Sequence, residues 1–173
     1  MTYGTPWWLP PLLLVLAALV QASLLPAVGL VAVRPNLVLQ IVVIWAVLRG
    51  VREALPWALT GGVVLDTFSG APFGTATLPL LVTAFCSSAG EISIFRSNLL
   101  LPLAVVFWGS LLYDALYLFL LATHQLPVSW LQTLRHIVVP GAILNMILAP
   151  LAYLVVSRIE RRTRRAKYDT VEW

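Results

Sequence analysis

A chain of 173 residues that is 60% hydrophobic and 10% charged cannot cover a soluble surface, which takes about 25% charged residues. Its mean hydropathy of +0.92 makes lipid its solvent and excludes a soluble enzyme or a nucleic-acid-binding domain. The net charge of +4 is weighted toward the C-terminal tail, and the single cysteine, Cys86, excludes an intramolecular disulfide.

A bilayer core about 30 Å thick takes roughly 20 apolar residues per helical span, so there is room for about six spans and no separate soluble domain. Runs such as LLLVLAALV and LLLPLAVVF lack the alternation of barrel strands, and helices are expected. The chain therefore reads as a single membrane domain, residues 1–173, folded as an all-α bundle of six transmembrane helices. The expected spans are approximately 8–30, 36–49, 53–69, 74–91, 98–122 and 136–158, followed by a basic cytoplasmic tail, 159–173.

The first span opens on Trp7 and Trp8, which suit a membrane interface, and Pro26 and Gly29 are placed to kink its far end. No Lys or Arg precedes it, so it is expected to be a retained span despite the signal-like Val20-Gln21-Ala22 triplet. The second span starts at Pro35 and Asn36, and Asn36 can cap its helix. The second and third spans are short; snorkelling of Arg49 and Arg52 can extend their reach, or the bilayer can thin locally.

The third span carries Gly61, Gly62 and Asp66, then turns through Ser69, Gly70, Pro72 and Gly74. Gly62 lies one helical turn before Asp66, and Gly61, Gly62 and Ser69 are small enough to admit a close neighbour. Asp66 then has two readings. It can accept hydrogen bonds from turn amides or the next helix's first turn, clasping a tight hairpin. Alternatively it is a buried carboxylate that binds a partner or carries protons.

In the fifth span, Asp114 has Ser110 and Tyr117 at helical spacing, which permits an intramembrane hydrogen-bonded cluster; alternatively it lies near the outer interface. Asn145 and Gly141 share a face of the last span, as packing requires. His124 and His136 have no ligand-like spacing, so no metal and no cofactor are expected.

Six spans place Arg49, Arg52, Arg96, Arg158, Arg161, Arg162, Arg164, Arg165 and Lys167 on one side, against Arg34 and Arg135 on the other. Nine basic residues against two put both termini in the cytoplasm. The tail residues Arg158, Arg161, Arg162, Arg164, Arg165 and Lys167 anchor the last span and suit anionic lipid or a cytoplasmic partner. The sequence has no phosphate-binding glycine–lysine motif, no HExxH helix and no nucleophile elbow, so it is not expected to be an enzyme.

The run from Arg34 to Phe85 resembles the core of the rod shape-determining protein MreD family, on Pro35, Trp45, Arg49, Gly61, Gly62, Asp66, Ser69, Gly70, Pro72 and Gly74. Asn36 departs from the aspartate common in that family. The resemblance implies a non-catalytic scaffold of the bacterial inner membrane, part of the elongation machinery (elongasome) that supports peptidoglycan synthesis in lateral wall growth. Its implied partner is the transmembrane helix of MreC, and through MreC a penicillin-binding transpeptidase, the RodA glycosyltransferase and the MreB filament. The family is also similar to the six-helix S-components of energy-coupling vitamin transporters, which makes a substrate-binding transporter subunit the alternative.

Overall fold

A computed structural model describes residues 9–27, 35–89, 100–124 and 130–168, with side chains described for 11–21, 35–89, 102–124 and 130–161. Trp7, Trp8, Gly29, Arg34 and Arg96 lie outside the described residues, as do the side chains of Pro26, Arg162, Arg164, Arg165 and Lys167. Among the described residues the chain is all-helical. The elements are α1 (Leu9–Ala27), α2 (Leu37–Arg49), α3 (Val51–Ser69), α4 (Thr77–Ser87) and α5 (Leu100–Thr123). The last helix, α6, starts at Trp130–Thr133, passes through a π-helical turn at Leu134–Val138 and continues as Val139–Tyr168. It thus runs on through residues that the sequence reading assigns to the tail.

The boundaries follow local chemistry. Asn36 caps α2, its Oδ1 accepting the Leu39 amide at 3.0 Å. Gly50, at φ 79°, reverses the chain between α2 and α3 in a single residue. Gly70, at φ 66°, ends α3 in the left-handed conformation that glycine adopts without steric cost.

α2 is the axis of the bundle. It packs against α1, α3, α4, α5 and α6, and nine of its 13 residues are buried. A helix apolar all round belongs in the core. Its shortness therefore needs no snorkelling to explain it: at 1.5 Å per residue it is only about 20 Å long, and its neighbours enclose it. Trp45 on α2 stacks on Trp57 of α3 with ring centroids 4.2 Å apart, both rings buried. Gly61 brings α3 onto α2, since a Cβ there would come within 2.9 Å of Val38 Cγ1.

The outside is as apolar as the inside. Leu78, Val82 and Phe85 on α4, Trp108 and Phe119 on α5, and Ile143, Ile147, Leu151 and Leu154 on α6 are all exposed. Continuous exposed apolar surface on this scale belongs against lipid. Pro102–Thr123 in α5 and Trp130–Arg161 in α6 have the length and composition of membrane spans. Shorter apolar helical stretches occur at Pro11–Gln21, Leu37–Arg49 and Thr77–Ser87.

Candidate functional site

The start of α2, the end of α3 and the start of α4 meet at one end of the bundle, and Asp66 sits in the hairpin between α3 and α4. It is the last buried residue of α3, 4% exposed. Its Oδ1 accepts the Ala76 amide at 2.7 Å, and its Oδ2 accepts the amides of Gly74 at 2.9 Å and Thr77 at 3.2 Å. The Thr77 hydroxyl also donates to Oδ2. The first amides of a helix have no partner within the helix. Here one α3 carboxylate receives them, so α4 is capped by the helix that precedes it.

The neighbouring positions complete the turn. A Cβ on Gly62 would come 2.5 Å from Thr77 Cα, so only glycine lets α4 start this close to α3. Gly74 has φ 96°, and the Pro72 carbonyl accepts from both the Thr75 amide and the Thr75 hydroxyl. Ser69 differs from the sequence expectation. It is exposed, and its hydroxyl donates to the Asp66 carbonyl at 3.3 Å and accepts the Ala71 amide at 3.2 Å, so it serves the turn and not helix approach.

A second polar cluster, larger than the sequence suggests, lies inside the bundle. Asn145 Oδ1 accepts the Asn36 amide at 2.9 Å and Gln40 Nε2 at 3.0 Å, and Asn145 Nδ2 donates to Ser110 Oγ at 3.0 Å. One buried side chain thus ties α6 to α2 and α5. Gln21 of α1 adds a fourth helix, its Oε1 accepting the Leu37 amide at 2.9 Å. Gly141 is buried on the same helix. Ser110, expected beside Asp114, is instead engaged by Asn145. Tyr117, the other expected neighbour, stacks on Tyr113 with ring centroids 5.9 Å apart, while Asp114 is half-buried between those two residues of α5. Gln21 and Gln40 are the residues of this cluster that the sequence reading missed, although an amide inside LVLQIVVIW was a visible signal; Thr77, Glu53 and Glu160 were missed elsewhere.

At the opposite end Arg49 closes α2. It pairs with Glu53 of α3 at 3.3 Å and with Glu160 of α6 at 3.3 Å, and its guanidinium lies 5.6 Å from the Trp45 ring centroid. Pro35 is buried, whereas Arg158 and Arg161 are exposed on the last helix. The arrangement spends its polar groups on joining helices. Both Asp66 oxygens are engaged by the α3–α4 turn and the start of α4, and among the described residues no group of three His, Cys, Asp or Glu side chains is placed to hold a metal.

Compared with known proteins, residues 2–162 match the model of one family, described as rod shape-determining protein MreD. No curated protein and no solved structure matches the chain.

Proposed function

The chain belongs to the MreD family of rod shape-determining proteins, and from that premise we propose that it is a non-catalytic membrane scaffold of the bacterial elongation complex. In this reading it binds the transmembrane helix of MreC, and through MreC it holds a penicillin-binding transpeptidase, the RodA glycosyltransferase and MreB together. The assembly then supports peptidoglycan synthesis during lateral wall growth. The protein sits in the inner membrane as one six-span domain with both termini in the cytoplasm. Anionic lipid lies against the basic end of α6.

The observation that carries the reading is the use of Asp66. A carboxylate whose oxygens are filled by three backbone amides and a hydroxyl is committed to fixing the α3–α4 hairpin. A relay needs a group free to exchange its proton, and a scaffold needs a rigid surface. Between helices in lipid, apolar burial gives no net drive, so close packing of pre-formed surfaces must supply affinity.

The test is an affinity pull-down of the tagged chain from native membranes in mild detergent, read by mass spectrometry. Recovery of MreC with the transpeptidase and RodA is the expected result. Recovery of transporter ATPases without elongation proteins would overturn it. Asp66→Ala and Gly62→Leu are each expected to reduce MreC recovery.

A further inference from the structure

The exposed surface of α6 carries an apolar strip in which Val139, Ile143, Ile147 and Leu151 follow one another at four-residue steps, continued by Leu154. Arg135 lies four residues before this strip and Arg158 four residues after it, and both are exposed. The two arginines are 23 positions apart, roughly 34 Å along a helix. A hydrocarbon core about 30 Å thick fits between them, with about 2 Å left at each end. Each guanidinium therefore stands just outside the hydrocarbon, at the depth of lipid phosphates.

Arg158 belongs to the basic end of α6, whereas Arg135 marks the end where the helix is poor in charge. No Asp or Glu occurs on α6 before Glu160. Among the described residues the Arg135 guanidinium has no ion pair and no hydrogen bond. The neighbouring His136 is tied to its own helix, its Nδ1 donating to the Gln132 carbonyl at 3.0 Å, since a carbonyl can only accept. Trp130 and Leu131, both exposed, lie at the same end, and an exposed indole suits a membrane interface.

The chemistry of the occupant follows from charge and length together. A guanidinium offers a planar fork of donors that matches phosphate oxygens. Free phosphate or an acidic side chain would meet the charge but leave the apolar strip uncovered. A phospholipid meets both, because the acyl chains of one leaflet run about 15 Å below their phosphate. From Arg135 to Ile147 is 12 positions, roughly 18 Å, so one leaflet's chains cover the strip that far. A zwitterionic headgroup brings its own cation to its phosphate, so an arginine without a counter-ion favours a lipid of net negative charge. We propose that Arg135 binds the phosphate of an anionic phospholipid in the leaflet opposite the basic tail, whose acyl chains lie along Val139, Ile143 and Ile147.

The test uses the full chain with the photo-crosslinker benzoylphenylalanine in place of Leu131, which is exposed four residues before Arg135. It is reconstituted into liposomes of equal parts phosphatidylglycerol and phosphatidylcholine with identical acyl chains, illuminated, and its adducts are weighed. Phosphatidylglycerol adducts are expected to exceed phosphatidylcholine adducts about fivefold, the equivalent of about 1 kcal/mol per basic residue near a membrane surface. Arg135→Gln is expected to abolish the preference, and Arg158→Gln, at the far end of the helix, to leave it unchanged. Equal capture of the two lipids when Arg135 is present, or a preference that survives Arg135→Gln, overturns the proposal. Loss of the phosphatidylglycerol adduct on adding millimolar inorganic phosphate gives Arg135 to free phosphate. A protein adduct in native membranes gives it to a protein, and either outcome overturns the lipid assignment. Native mass spectrometry of the chain with Leu131 intact is a second readout. There Arg135→Gln is expected to retain less phosphatidylglycerol than wild type, and unchanged retention overturns the proposal. The proposal needs only that α6 crosses a bilayer, so its failure leaves the MreC reading standing, and failure of the MreC pull-down leaves this one standing.

Discussion

Asp66 gathers three amides and a hydroxyl onto one carboxylate. Removing it strands buried donors, each at a cost of about 1–3 kcal/mol. Asp66→Ala is expected to lower the aggregation temperature in detergent sharply, and Asp66→Asn, which keeps one acceptor, to fall between alanine and wild type. Equal loss from both substitutions would mean that charge matters and hydrogen-bond count does not. Gly62 and Gly70 provide a contrast on the same hairpin. A methyl group at Gly62 meets the Thr77 backbone, so Gly62→Ala is expected to cost about 1–3 kcal/mol as overpacking. At Gly70 there is open space and only a positive φ to strain, at about 1–2 kcal/mol. In the interior, single hydrogen bonds between membrane helices average only about 0.6 kcal/mol. Asn145 makes three, so Asn145→Leu is expected to cost about 2 kcal/mol, read by the same thermal assay. Pairing it with Gln40→Leu should cost less than the sum of the two single changes, because they share a bond.

At the scale of elements, Arg49 decides how α6 is held against the rest. Its bond to Glu53 joins positions four apart across the α2–α3 reversal, and Glu53 is the more exposed partner. Partly exposed pairs contribute about 0.2–1 kcal/mol. Its bond to Glu160 crosses from α2 to α6 between side chains that are both mostly buried. Removing Glu160 leaves the buried guanidinium with Glu53 as its remaining carboxylate and loses the tie between α2 and α6, so it costs more than losing the more exposed pair. Glu160→Ala is therefore expected to destabilise the bundle clearly more than Glu53→Ala in detergent melting, and similar effects would remove the distinction. Lysine cannot replace Arg49 equivalently, because a point charge does not span two carboxylates while lying over an indole.

For the whole molecule, the testable statement is orientation. Phe73, exposed in the α3–α4 turn, and Arg52, exposed at the start of α3, lie at opposite ends of that helix. With Cys86 replaced by serine, Phe73→Cys is expected to react with an impermeant maleimide applied from outside, and Arg52→Cys only after permeabilisation. The reverse pattern would overturn the cytoplasmic placement of the termini. Scaffold and orientation belong together at this scale, because the Asp66 turn faces outward only if the basic end of α6 faces in.

Hydropathy and its pattern determined that the chain is helical and lives in lipid, because backbone groups in hydrocarbon are satisfied only in helices or closed barrels and the apolar runs lack the alternation of barrel strands. The Asp66 hairpin was legible for a different reason. The carboxylate and its amides are 8 to 11 positions apart, so turn residues and acceptor appear together in one short stretch. The Asn145 cluster could not be read that way, since it joins residues 105 and 109 positions apart on α2 and 35 apart on α5. Only the tertiary structure made α2 the central helix. In water a buried helix face is marked by its apolar residues, but in lipid the faces turned inward and outward are both apolar. Composition then carries no sign of which helix the others surround, and packing alone decides it.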